Sequence, residues 1–123
     1  MQKKLKKLIQ VPLLIVLGSI FMAATSIHEV LVRENETILL DPANKLEANA
    51  WQNRCSVKLS RERIPLRIDG EKIEIQGNYI VINNAERGDA GTYEITVMYT
   101  KDGHLKSSSC LYYVSVVTLL PKP

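Results

Sequence analysis

The two cysteines, Cys55 and Cys110, are the residues of this 123-residue sequence with the most evident chemistry. In an oxidising compartment an even number of cysteines favours a disulfide, whereas a cysteine nucleophile needs a nearby base and a reducing setting. The two histidines, His28 and His104, lie far apart and away from any cluster with metal-ligand spacing. No glycine-rich phosphate loop is present. We therefore expect no catalytic, metal or cofactor site, and a Cys55–Cys110 disulfide is the favoured use of the thiols.

The first residues have the composition of a secretory signal peptide. Four lysines and no acid lie within the first seven residues, and an apolar run from Val11 to Ala24 follows them. Small residues at Ala24 and Ser26 suit a signal peptidase, so we expect cleavage of 1–26 after Ser26, with Ala24 as the nearby alternative. The competing interpretation is an uncleaved membrane anchor, although the run is short for the roughly 20 residues of a span. The sequence thus predicts a secreted, extracellular protein, or a signal-anchored one.

The charge of the remaining chain excludes one class of partner. The sequence has 16 basic and 13 acidic residues, and loss of the four N-terminal lysines leaves 12 basic residues against 13 acidic ones. Because no basic stripe is retained, we expect no nucleic-acid binding. No second apolar run of membrane length follows, so no membrane insertion is expected after signal cleavage. Residues 27–118 suit one domain of roughly 100 residues, with 119–123 as a short tail.

Short alternating runs separated by turn residues predict an all-β domain. Asp102-Gly103 predicts a hairpin tip between Lys101 and His104, because this dipeptide accommodates positive φ. Residues 42–53 lack a period of two and predict a long connection containing Trp51. We find no helical periodicity and no internal repeat. The predicted strands are 28–33, 36–41, 55–59, 64–68, 72–75, 79–83, 93–99 and 110–117.

Residues 89–93 resemble the tyrosine corner of the immunoglobulin superfamily, of the intermediate or variable type. The resemblance covers nearly all of the chain after the leader and is most specific in 77–85 and 89–93. It implies an all-β, immunoglobulin-like antiparallel β-sandwich preceded by a cleavable signal peptide. In such a corner Tyr93 returns its hydroxyl to the backbone a few residues upstream, while Asp89 and Gly91 shape the turn.

The resemblance also implies an ion pair at the corner. The corner acid of the family often pairs with a basic residue near the start of the D strand. Lys72 is the best-placed partner for Asp89, with Arg67 second. Because Asp89 is then engaged, the integrin-type tripeptide Arg87-Gly88-Asp89 is given a structural role.

The sequence departs from the family at the core disulfide. The second core cysteine is expected at Ile95 and the first near Leu40 or Pro42, so branched side chains would fill that space. By the same resemblance Cys55 begins strand C or ends the loop before it, and Cys110 begins strand G. Strand F lies between them, a separation of about 9 to 10 Å, so a bridge requires one cysteine to lie in a flexible loop.

Trp51 has two competing interpretations. It is either the core tryptophan of strand C, with the cysteines unpaired, or a loop tryptophan beside a loop-tying disulfide.

A separate motif, the sequon Asn35-Glu36-Thr37, falls in a predicted surface turn and makes Asn35 a candidate glycosylation site. The charged run 58–63 predicts a solvated strand edge that discourages edge pairing.

The predicted function is recognition of a protein partner. If Tyr93, Ile95 and Val97 point inward, the alternate residues lie on the outer face of the G, F and C strands, which family members often use for binding. We predict a secreted, non-catalytic binding module acting at cell surfaces, in adhesion, signalling or immune modulation, with a cell-surface ectodomain as partner. The alternative is an extracellular structural or self-associating matrix component, for which a homodimer is possible. The predicted partner-binding residues are Lys58, Glu94, Thr96, Met98, Lys101, Asp102 and His104.

Overall fold

Two packed β-sheets form the domain in a computed structural model that describes residues 26–118. The predicted signal peptide, except for Ser26, and the tail 119–123 lie outside the described residues. Eight strands were predicted and the described residues form eight. They are β1 (Ile27–Arg33), β2 (Ile38–Leu40), β3 (Arg54–Arg61), β4 (Ile64–Leu66), β5 (Ile73–Gln76), β6 (Tyr79–Ile82), β7 (Gly91–Lys101) and β8 (His104–Val117).

The strands are arranged in a five-stranded and a three-stranded sheet. The larger sheet has the order β1-β8-β7-β3-β4 and the smaller one β2-β6-β5. Strand β1 runs parallel to β8, whereas every other pair of neighbours is antiparallel. In immunoglobulin letters the larger sheet is A′-G-F-C-C′ and the smaller one B-E-D, so the predicted all-β sandwich is confirmed.

The core fills the space between the sheets with alternate residues of the long strands. On β7 the side chains of Tyr93, Ile95 and Val97 are fully buried, and the residues between them face outward. Leu40 on β2 and Ile95 on β7, the positions expected for the family's core cysteines, are both completely buried. Branched side chains therefore occupy the place of the usual inter-sheet disulfide.

The hairpin of β7 and β8 is longer than the sequence predicted. Asp102 and Gly103 have φ values of 53° and 77°, the positive values of a two-residue turn whose twist matches that of the strands. Pairing begins at once between Lys101 and His104 and continues to Gly91 and Val114. The prediction that the last strand starts at Cys110 was wrong, because backbone pairing does not depend on side-chain hydrophobicity and extends through three polar serines, 107–109.

A second hairpin and two short turns carried no clear signal in the sequence. Glu62 and Arg63 have φ values of 51° and 67° and form the two-residue turn between β3 and β4. Short 3-10 turns cover Pro42–Asn44 and Arg87–Asp89. The second of these turns contains the acid of the tyrosine corner.

Candidate functional site

The corner between β6 and β7 is held by one acid and one tyrosine. Tyr93 is fully buried, and its hydroxyl donates a hydrogen bond to the backbone carbonyl of Asp89. The Asp89 carboxylate, only 9% exposed as a residue, accepts a hydrogen bond from the Glu86 backbone N–H at 2.8 Å. Burial raises the pKa of the Tyr93 hydroxyl above its ordinary value, so it remains a neutral donor at physiological pH.

Two cations neutralise the Asp89 carboxylate. Lys72 Nζ lies 2.9 Å from Oδ2, the partner that the resemblance favoured. The same ammonium donates to the carbonyls of Asn83 and Asn84, each at 2.8 Å. The second cation is Arg61, 3.8 Å from Oδ1, rather than the predicted second choice Arg67. Arg61 reaches the corner because it is the inward-facing residue that closes β3 opposite Tyr93.

The tripeptide Arg87-Gly88-Asp89 lies within this corner. It forms a 3-10 turn rather than a projecting loop, and its acid is the buried residue of the three. The Arg87 guanidinium donates to the Thr118 hydroxyl at 3.1 Å. An integrin-type ligand has to present the acid to solvent, and here that acid is bonded to the protein itself.

Gly91 is required by the backbone just before the corner tyrosine. Its φ is +142°, and a Cβ at this position would lie 2.8 Å from a carboxylate oxygen of Glu62. That carboxylate accepts a hydrogen bond from the Thr92 backbone N–H. Any other residue would therefore be strained and would also displace this contact.

The two cysteines are unpaired, so the predicted Cys55–Cys110 bridge was wrong. Cys55 is exposed next to a bulge at the start of β3, whereas Cys110 is 2% exposed in the middle of β8, opposite Ile95. β7 separates the two strands by about 9 to 10 Å. The β8 residue level with Ser56, the neighbour of Cys55, is Ser107, and Cys110 lies three residues further along the strand. The long hairpin thus places one thiol in the core and the other in solvent.

We expect the two thiols to differ sharply in reactivity. Burial raises the pKa of Cys110 to about 11, so its thiolate is scarce at pH 8. With Ellman's reagent at pH 8, the native protein should release one equivalent of chromophore, rising to two in guanidinium chloride. The matched variant Cys55→Ser should release none while folded. Rapid release of two equivalents by the native protein, or of none until a reductant is added, would contradict this assignment.

Trp51 belongs to the core although it lies outside the strands. The side chain is 1% exposed, and its Nε1–H donates to the Gly77 carbonyl at 2.9 Å. The Arg54 guanidinium covers the ring at 4.2 Å from its centroid and donates to the Trp51 carbonyl at 2.8 Å. Neither interpretation holds as a whole: the ring is in the core and the cysteines are unpaired, but Trp51 lies in the loop before β3 and not on the strand.

The outer face of the larger sheet carries a concavity beside the edge of β3. Lys58 lies opposite Thr96, and Ser60 opposite Glu94, so these four side chains form one continuous patch. Strand β4 ends at Leu66 while β3 continues, so the apolar side chains of Val57, Leu66 and Ile68, which pack against the core, are only partly buried beside the patch. The concavity has a volume of about 650 Å³ and is lined by Val57, Lys58, Leu59, Ser60, Pro65, Leu66, Ile68, Glu94 and Thr96. We call it the β3–β4 groove.

The seven predicted binding residues form a line rather than a cluster. Lys58, Glu94 and Thr96 line the β3–β4 groove, and Met98 follows on the same face of β7. The other three, Lys101, Asp102 and His104, are exposed at the hairpin tip, roughly 20 to 25 Å from Glu94 along the strand. The apolar lining of the groove was missed, because it depends on how early β4 ends.

Other predicted features lie away from this face. Asn35 is exposed in the turn after β1 with a φ of 72°, and its backbone N–H donates to the Ala85 carbonyl at 2.8 Å. His28 packs against Tyr112 with 5.7 Å between ring centroids, far from His104.

Within residues 26–118, no group of three or more histidine, cysteine or acidic side chains is placed to hold a metal ion. Nor does any helix of this part of the chain have the length and apolarity to cross a membrane.

Comparison with known proteins defines the class of fold. No protein-family model and no curated protein sequence matches the chain. Among solved structures, CD84 of the SLAM family matches 76% of this chain over its whole length, with a TM-score of 0.58 and 16% identity. Tim-1 matches 80% of the chain over its whole length, with a TM-score of 0.61 and 14% identity.

A third structure, Sidekick-1 immunoglobulin domains 1-4, matches 95% of the chain but only 28% of its own length, with a TM-score of 0.56 and 20% identity. At these identities the likeness establishes the fold. The protein is therefore an immunoglobulin-like sandwich. It keeps the tyrosine corner and lacks the usual disulfide between the sheets.

Proposed function

We propose that this protein is a secreted, non-catalytic recognition module that binds a cell-surface ectodomain through the outer face of strands β8, β7 and β3. The observation that supports it most is the β3–β4 groove, in which the exposed Lys58 and Glu94 lie beside partly buried apolar side chains such as Leu66. Protein interfaces commonly combine an apolar centre with a polar rim. The sequence of the leader supports secretion, and the sequon supports glycosylation at Asn35.

The hairpin extends this surface beyond the groove. Met98 and Thr100 continue the outward-facing row of β7, and Leu105, 63% exposed, lies opposite Thr100 on β8. An exposed leucine beside a flexible methionine provides adaptable apolar contact area. A partner that covers the groove and reaches the tip would bury an area suited to a specific complex, about 800 Å² on each side.

The test is a screen of the secreted chain against cell-surface ectodomains, followed by Glu94→Arg. Charge reversal at the rim of the groove should weaken binding at least tenfold without lowering Tm by more than a few degrees, because Glu94 is exposed. The matched control is Glu71→Arg, the same change at an exposed turn beside the smaller sheet. If Glu71→Arg abolishes binding and Glu94→Arg does not, the assignment of the binding face is wrong.

Self-association is the second candidate, and the exposed thiol of Cys55 is the observation that favours it. A disulfide-linked dimer on non-reducing electrophoresis, absent in Cys55→Ser, would support this alternative. A monomer that still binds the ectodomain supports the recognition module.

A further inference from the structure

Strand β1 is an open edge of unusual length for this domain. It has seven residues and within residues 26–118 it pairs only with β8, whereas the other edge strands, β2, β4 and β5, have three or four residues. Edge strands present unpaired backbone groups to which another extended segment can pair. Natural edges are commonly blocked by proline, an inward-pointing charge or a bulge, and β1 contains none of these devices.

The hydrogen bonds show which backbone groups of β1 are free. Arg33 is level with Val117, and the N–H of the next residue, Glu34, donates to the Val117 carbonyl at 2.9 Å. In a parallel ladder this pattern directs the even-numbered residues of β1 toward β8 and the odd-numbered ones away from it. Backbone groups of Ile27, Glu29 and Leu31 therefore point outward from the sheet edge.

The open stretch ends at Arg33. The Arg33 N–H donates to the Glu36 carboxylate at 3.1 Å, and its carbonyl accepts from the Glu36 N–H at 3.1 Å. With cleavage after Ser26 the Ile27 nitrogen is the amino terminus, so the outward groups are the Ile27 carbonyl and the N–H and carbonyl of Glu29 and Leu31, enough for five hydrogen bonds to an antiparallel strand. The open edge is defined here as Ile27–Leu31.

The side chains of the open edge repeat an apolar, acidic, apolar pattern. Ile27 and Leu31 are 55% and 71% exposed, and Glu29 stands between them on the same outer face. Glu29 makes no ion pair within residues 26–118. Tyr113, half-exposed on the neighbouring strand and level with Glu29, extends the apolar surface.

We propose that the open edge of β1 binds an extended strand of a partner protein whose outward side chains alternate apolar, basic, apolar. Apolar side chains would lie opposite Ile27 and Leu31, and the basic one opposite Glu29, a favourable cross-strand pair. The backbone contributes affinity and the side chains selectivity, as in other cases of strand addition. This proposal rests on the recognition function above but places a second contact on a different surface.

A second copy of this chain is the less suitable occupant. The antiparallel register that uses all three outward residues of both copies pairs Ile27 with Leu31 and puts Glu29 directly opposite Glu29. Like charges in that position are destabilising. A shift that brings Glu29 opposite Arg33 needs backbone groups already bonded to Glu36. The acid therefore favours a basic partner strand and opposes self-pairing.

The test uses the 15N-labelled protein and two blocked peptides, each alternating valine and threonine around one central residue. One peptide carries lysine at the centre and the other glutamate. The lysine peptide should shift the amide resonances of Glu29 and Leu31 and bind at least threefold more tightly than the glutamate peptide. The charge reversal Glu29→Lys should invert that preference.

The backbone contribution is tested with Leu31→Pro. Its N–H points away from β8, so proline removes a donor to the partner without removing a ladder bond, and Tm should change little. Binding of the lysine peptide should fall at least tenfold. Shifts confined to the β3–β4 groove, equal binding of both peptides, or a dimer that Leu31→Pro dissociates would each overturn the proposal. The Glu94→Arg result is independent of these outcomes, so the two proposals can fail separately.

Discussion

Trp51→Ala is expected to lower the free energy of unfolding by about 4 kcal/mol, the size typical of a buried tryptophan truncated to alanine. The ring is almost completely buried against the core, and the connection between β2 and β3 has no other buried side chain of that volume. For a domain of this length such a loss lowers Tm by roughly 15 to 30 °C. The variant should be only marginally folded at 37 °C.

The measurement is guanidinium unfolding followed by far-UV circular dichroism, since Trp51 is the only tryptophan and cannot report on its own removal. Trp51→Phe is the matched variant, because it keeps most of the apolar volume and loses the bond from Nε1 to the Gly77 carbonyl. Gly77 is exposed and water can solvate that carbonyl, so this change should cost about 1 to 2 kcal/mol. A Trp51→Ala loss below about 1 kcal/mol would show that the ring is not a core element.

Trp51 also shows where prediction from the sequence reached its limit. The polar residues around it, Asn49 and Asn53 among them, indicate a loop, and the residue does lie in a loop. Its ring bonds to the carbonyl of Gly77, 26 residues away, and this contact is not encoded by any local pattern. Local periodicity identified the eight strands because alternation of apolar and polar side chains is a local property. Tertiary placement of an irregular segment is not local.

The thiols and the binding face illustrate the same limit. The bridge was predicted from placing Cys110 at the start of the last strand, and the hairpin instead pairs residues from Lys101 onward. A run of three serines gives no apolar signal, although its backbone pairs as well as that of a hydrophobic strand. Lys58, Glu94 and Thr96 could be assigned to one face by alternation. The groove between them required knowledge of where β4 ends.

The edge of β1 could not be recognised from the sequence. Alternation within β1 indicates only that odd and even residues differ in exposure. The hydrogen-bond pattern with β8 decides whether the odd or the even residues direct their backbone groups outward. The bond from the Glu34 N–H to the Val117 carbonyl fixes that pattern. The same bond decides that Glu36 closes the edge at Arg33.

Asp89→Ala is expected to lower the free energy of unfolding by about 2 to 3 kcal/mol. The change removes the acceptor for the Glu86 N–H and leaves Lys72 and Arg61 without their common anion. Breaking a buried pair costs about 3 to 5 kcal/mol, and the partly exposed cations here regain some hydration, which reduces that figure. Lys72 also keeps its bonds to two backbone carbonyls, Asn83 and Asn84.

Two further variants separate the contributions at this corner. Asp89→Asn keeps an oxygen acceptor for the Glu86 N–H and loses only the charge, so its cost should be about half that of Asp89→Ala. Arg87→Ala changes the same tripeptide at an exposed side chain and should stay within about 0.5 kcal/mol of the wild type. Denaturant unfolding should therefore show the largest loss in the free energy of unfolding for Asp89→Ala, a smaller loss for Asp89→Asn and the smallest for Arg87→Ala. If Asp89→Ala is instead neutral for stability while cells lose adhesion to the protein, the acid is presented to a receptor and the corner does not hold it.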